Sequence, residues 1–238
     1  MRFSPKGIPL SYLALAALIL PLLTTHLCYL ISANFNQVPW CVPYWDSCTS
    51  ISATGRQLPA KLIFKSGMTA TAFISMLLWW CAGQWCHLSG IEGSDRSRRA
   101  MQVLGILAAL FLVQYTMALG EVGDAYKVLR RTGVVLTFAF TFIAQLLLTR
   151  FVGEMVHRQN KRNLLKWQRA MLILLVVLLS TAMVSLILEA AFAGSYGSLD
   201  NAFEWVMALM LNLYFALLAV VWHKERMELK IGSLSSHQ

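Results

Sequence analysis

Long apolar runs alternate with short polar connections along the whole chain. The runs cover residues 8–31, 66–88, 100–119, 132–149, 170–192 and 202–222. Each is roughly 20 residues, the length that crosses about 30 Å of hydrocarbon at 1.5 Å per residue. Lipid offers backbone groups no hydrogen-bond partner, so each run must satisfy its own N–H and C=O groups as a helix. The pattern predicts an all-α polytopic membrane protein, a bundle of six transmembrane helices. Little chain is left over, so residues 1–238 read as one transmembrane domain.

Composition agrees. Of 238 residues, 58% are hydrophobic and 13% charged, with mean hydropathy +0.60. A soluble domain is nearer half apolar and a quarter charged. The first run follows Arg2 and Lys6 and so resembles a signal peptide, but it is long for a signal core. No small-x-small site ends it, so it reads as a retained span.

The net charge of +9 does not indicate nucleic acid, because the cations sit at span ends rather than on one face of a soluble fold. With the N-terminus inside, inner segments hold 14 Lys and Arg. Outer segments hold 6: Arg56, Lys61, Lys65, Lys127, Arg130 and Arg131. This asymmetry places both termini in the cytoplasm. The inner basic rim also suits an anionic leaflet.

The longest polar stretch is the outer loop 32–59. The inner connection 150–169 sets Leu164, Leu165 and Trp167 among Arg and Lys. It reads equally as a helix lying on the membrane surface or as an extension of the flanking spans. The outer turn 193–201 is short, and the tail 231–238 reads as disordered. Gln145 and Asn212 are lone polar residues in spans, expected to bond neighbouring helices.

Cys41 and Cys48 share the outer loop, and their spacing predicts a disulfide closing a small ring. The chain-entropy model gives such a ring roughly 2–3 kcal/mol. Cys28, Cys81 and Cys86 lie in spans and are expected to act as small apolar side chains.

Ionisable groups near spans are costly and invite a functional hypothesis. Here they gather on the outer side. Lys61 and Lys65 are spaced i, i+4 and share a face. Glu121 follows the third run, Arg131 precedes the fourth, Glu189 is near the outer end of the fifth, and Glu204-Trp205 opens the sixth. One reading is a single outward-facing polar pocket, in which Lys61, Lys65, Arg130 or Arg131 holds a lipid phosphate and Glu121, Glu189 or Glu204 pairs with the cations or acts as a base towards an ester or hydroxyl. The other is that these residues snorkel or form structural ion pairs, which suits Lys127 and Asp124. No His-Glu-x-x-His, Gly-x-Ser-x-Gly or phosphate loop occurs, so no catalytic residue is assigned. The histidines are scattered, and no metal or cofactor is expected.

Thr49-Ser-Ile-Ser-Ala-Thr-Gly55, then Pro59 and Phe64, resembles the signature of the Frag/DRAM/Sfk family of six-span membrane proteins. That family includes the damage-regulated autophagy modulators and a factor that remodels lipid chains on GPI anchors. Its usual pattern is a Ser-Asp-Thr-Gly-like turn, a proline four residues after the glycine and an aromatic residue nine after it. Gly55, Pro59 and Phe64 keep those spacings. Glu204-Trp205 resembles the family's Glu-Trp at the start of the last span, and Glu121 another acidic position. Ala53 stands where the signature usually has Asp, Ala60 where many members have Glu, and a family histidine is replaced within 128–132.

The resemblance implies a multi-pass protein of the cell membrane or endomembranes that binds or remodels phospholipid or glycolipid, with membrane lipid as its partner. The alternative is a non-catalytic scaffold acting through a membrane-protein partner. A small-molecule transporter has less support, because it would place polar groups at the midplane.

Overall fold

The computed structural model describes residues 7–90, 95–192 and 200–229. Helices dominate it: α1 (Leu10–Asn34), the single turns α2 (Pro43–Asp46) and α3 (Ile51–Thr54), α4 (Ala60–Leu88), α5 (Asp95–Ala118), α6 (Asp124–Arg158), α7 (Leu165–Ala191) and α8 (Asp200–Lys224). Six are long and apolar enough to cross a membrane: α1, α4, α5, α6, α7 and α8. The expected all-α six-span bundle is therefore the fold. The expected tail 231–238 and most of the turn 193–201 lie outside the described residues.

The helices overrun the apolar runs at their polar ends. α4 begins at Ala60, which puts Lys61 and Lys65 on its first two turns. α6 has 35 residues, or about 52 Å at the α-helical rise, and so extends beyond the hydrocarbon core. The basic connection 150–169 is not a separate surface helix. α6 runs on to Arg158, a short turn and a 3-10 turn (Arg162–Leu164) follow, and α7 starts at Leu165.

Neighbours pack as a ring in the order α1, α4, α5, α6, α7, α8 and back to α1. Small residues let the backbones approach, as expected where lipid supplies no hydrophobic drive between helices. A Cβ on Gly105 of α5 would lie 2.2 Å from the Trp79 ring of α4. One on Gly133 of α6 would lie 2.9 Å from the Tyr115 backbone.

Both ends of the described chain meet at one end of the bundle. There β1 (Ile8–Pro9) pairs antiparallel with β2 (Glu228–Leu229), and Lys161 bridges to Glu225. We name this the terminal end and the other, which carries α2 and α3, the loop end. The larger core lies toward the terminal end, around Trp79, Trp85, Phe151, Met155, Tyr214 and Trp222. Gln145 Nε2 donates to Leu211 O (2.9 Å), tying α6 to α8, and Tyr214 Oη donates to Gln145 O (2.8 Å). Asn212 differs from expectation: it donates to Ala208 O of its own helix.

Candidate functional site

The loop following α1 folds back on the start of α8. Cys41 and Cys48 form the expected disulfide, with Cα atoms 6.6 Å apart. The ring they close presents Ser47 to α8. Asn201 Nδ2 donates to Ser47 O, and the Ala202 N–H donates to Ser47 Oγ, both at 2.9 Å. Trp205 Nε1 donates to Thr49 O at 2.9 Å. Ser50 caps α3 by accepting from the Ala53 N–H. The backbone amides of Ile51 and Ser52 bond the Glu204 carboxylate. Such amides at a turn's start suit an anion because their N–H dipoles point outward. The turn is fastened from behind by Ser32 Oγ, which donates to Thr54 O at 2.6 Å.

Gly55 must lack a side chain, since a Cβ there would lie 2.5 Å from the Phe64 ring. The residues that carry the family resemblance are thus one contact set. Phe64 packs on Gly55, Pro59 precedes α4, and the Thr49–Gly55 turn holds Glu204-Trp205.

Aromatic side chains roof this contact set. His26 Nδ1 lies 2.7 Å from Leu22 O, which can only accept, so Nδ1 carries a proton. Nε2 is then free to accept from Tyr44 Oη at 3.0 Å. Burial pushes the Tyr44 phenol up, so it stays a donor. Tyr44 and His26 both pack edge-on against Trp205, with centroids 5.4 and 5.5 Å away. Tyr29 Oη brackets Cys41, donating to its carbonyl and accepting from its N–H, both at 2.7 Å.

Beneath this roof is a cavity of about 110 Å³. It is a slot between α1, α4, α5, α6 and α8, running from Glu204, Tyr44 and Ile51 down to Trp79 and Phe215. Its walls are mainly apolar, with hydroxyls at Thr71, Ser75, Thr137 and Thr141. The lining residues of α5 (Gly105, Ala108, Ala109, Leu112, Tyr115) are buried. Those of α6 (Val134, Thr137, Phe138, Thr141) and several of α8 (Glu204, Ala208, Leu209, Asn212) are only half-buried. The α6 and α8 walls are therefore less shielded than the α5 wall. Tyr115 is 3% exposed and its hydroxyl, on the slot wall, has no hydrogen-bond partner among the described residues. Leaving such a group unmet costs about 1–3 kcal/mol, a debt that a bound molecule's polar atom can cancel.

The expected single polar pocket is instead two separate places. Glu204 and Trp205 belong to the slot. Lys61, Lys65 and Glu121 form an ion cluster outside its lining: Glu121 Oε1 is 2.9 Å from Lys61 Nζ and 2.7 Å from Lys65 Nζ. Hydrogen bonds from Lys65, then Lys61, hold the Glu121 carboxyl down at about 2. The lysines also donate to Gly120 O and Met117 O, the unpaired carbonyls at the end of α5. They hold α4 to α5, as cations at a helix C-terminus do.

Glu189 is exposed near the end of α7 and is not on the slot wall. It avoids the cost of burial by sitting two residues before the helix stops. Arg131 is exposed on α6 and makes no hydrogen bond or ion pair among the described residues.

Tyr44, His26, Tyr115 and Arg56 were not singled out for the site from the sequence. Arg56 is exposed, donates to Ser52 Oγ at 3.0 Å, and with Asp200 is a charge acting on Glu204. Only the slot hydroxyls left a sequence signal: Thr71 with Ser75, and Thr137 with Thr141, are each spaced i, i+4 on one helix face.

Comparison with known proteins places the chain in a family. A family model described as the Frag1/DRAM/Sfk1/Cwh43P N-terminal domain matches residues 9–222. Neither the curated proteins nor the solved structures yield a match. With nearly its whole length covered and six spanning helices, the chain belongs to the Frag1/DRAM/Sfk1 family and is a multi-pass integral membrane protein.

Proposed function

We propose that this protein binds a membrane lipid by drawing one acyl chain into the slot, with the head group at Glu204. The observation that carries this reading is a mainly apolar slot among α1, α4, α5, α6 and α8 that reaches the Glu204 carboxylate and a Tyr115 hydroxyl unpartnered among the described residues. An acyl chain suits the walls, and a hydroxyl or amine suits Glu204 and Tyr115. Arg56 stands where a phosphate would lie. Lys61 and Lys65, outside the slot, hold α4 to α5.

The loop end faces the outside and both termini the cytoplasm. The charge asymmetry supports this orientation, and so does the disulfide, which persists in oxidising compartments. The lipid is then drawn from the outer leaflet. The reading is of binding.

Two variants test it by different routes. Thr137→Trp fills the slot from its α6 wall. Glu204→Gln keeps shape and removes charge. Both purify folded, and mass spectrometry of co-purified lipid finds Thr137→Trp depleted and Glu204→Gln altered in head-group class. A lipid complement unchanged in both overturns the reading. Unchanged lipid with lost capture of a membrane-protein partner moves the function to a scaffold.

A further inference from the structure

At the terminal end most acidic groups are already taken. Asp95 pairs with Arg98, Glu154 with Arg150 and Glu225 with Lys161. Three cations at the entry to α7 are not. Arg162, Lys166 and Arg169 are exposed and form no ion pair among the described residues. Lys166 and Arg169 share a face of α7 at i, i+3, and Arg162 of the preceding 3-10 turn lines the same groove.

The same three side chains, with Leu165, Ala170 and Ile173, line a groove distinct from the slot. Lys166 is held partly in place, its Nζ 5.2 Å from the centre of the Trp167 ring. Below the cations the helix face turns apolar at once. Ile173, Val176 and Val177 are exposed, as lipid-facing residues of a spanning helix are. The groove therefore joins three unpaired cations to a hydrocarbon-facing stripe at the depth where phosphates meet acyl chains.

We infer that this groove is a binding site for the head group of an anionic phospholipid in the leaflet at the terminal end. Arg162, Lys166 and Arg169 surround the phosphate, and the chains run along Ile173 and Val177. Two features separate it from general rim charge. The three cations line one groove, and the residues beneath them belong to the same groove. Planar guanidinium groups meet phosphate oxygens two at a time, which a scatter of surface lysines does not.

The test titrates detergent-purified full-length protein with phosphatidylserine, phosphatidylcholine or inorganic phosphate and counts bound lipid by native mass spectrometry. Wild type holds phosphatidylserine in preference to phosphatidylcholine, and inorganic phosphate does not displace it. The triple variant Arg162→Gln, Lys166→Gln, Arg169→Gln weakens phosphatidylserine binding at least about tenfold, as loss of three surface cations should. The control Arg96→Gln, Arg99→Gln, Lys224→Gln removes the same charge from exposed positions elsewhere on this end, and changes binding less than about twofold. If the triple variant does not fold, Lys166→Gln and Arg169→Gln singly give the same ranking with smaller losses. Equal losses in both triple variants would mean diffuse charge and overturn the site. So would no loss in either, and displacement by inorganic phosphate would overturn the lipid as occupant.

Discussion

The two ends of this bundle are built from similar helices and packed differently. At the terminal end, Trp222, Tyr214, Met155 and Leu148 are fully buried in one core, and hydrogen bonds tie α6 to α8. At the loop end α1, α4, α5, α6 and α8 leave a slot among them. The loop end is held instead by covalent and polar devices: the Cys41–Cys48 bridge, the Ser47 and Thr49 contacts to α8, and the Lys61–Glu121–Lys65 cluster. Dense packing gives the terminal end its rigidity. The loop end can stay hollow because its roof is fixed from outside the core.

That contrast predicts unequal responses to truncation. Trp222→Ala should destabilise by about 3–5 kcal/mol, because a large side chain leaves a cavity in a packed region. Leu209→Ala, on the slot wall, should cost about 1 kcal/mol, since its neighbours already border empty space. Thermal unfolding in detergent checks both, and equal losses would erase the distinction between the ends.

Removing the bridge tests how the loop end is held. Cys41→Ala with Cys48→Ala should cost about 2–3 kcal/mol. Proteolysis of the native protein should then begin within residues 35–59, while the terminal end keeps its resistance. Cleavage that starts at the terminal end would reverse the assignment.

Tyr214→Phe should lower stability by about 1–2 kcal/mol, since it removes the hydroxyl that donates to Gln145 O and meets Thr149 Oγ1. Lipid co-purified from the slot should be unchanged. A change there would show that the two ends are coupled through α6 and α8.

The ion cluster makes a smaller contribution with a defined pH signature. Glu121 is held at about 2, below its ordinary value of 4.5. Its stabilisation is therefore complete above about pH 4.5 and is lost as pH falls toward 2. Glu121→Gln should flatten the thermal-midpoint curve across that window and leave neutral behaviour close to wild type. High salt should shrink the difference, because the cluster is partly exposed. Glu189→Gln should be smallest of all, with no change in thermal midpoint or bound lipid.

The sequence by itself determined the six spans, the disulfide and the family. Each follows from local information: run length set against bilayer thickness, two cysteines confined to one short loop, and glycine, proline and aromatic residues at fixed spacing. It also identified Glu204-Trp205 and the i, i+4 lysine pair, because a charge beside an apolar run is conspicuous. Tertiary structure alone decided which charges share a site. Glu189 and Glu204 look alike in sequence, each beside an apolar run. Yet one sits exposed at the end of α7 and the other accepts two amides of a turn some 150 residues earlier. Residue spacing fixes neighbours on one helix, whereas the rotation of each helix about its axis is set by packing against the others. The slot is lined from five helices, α1, α4, α5, α6 and α8, so it depends on how side-chain volumes sum across all of them, which no spacing along one helix reports.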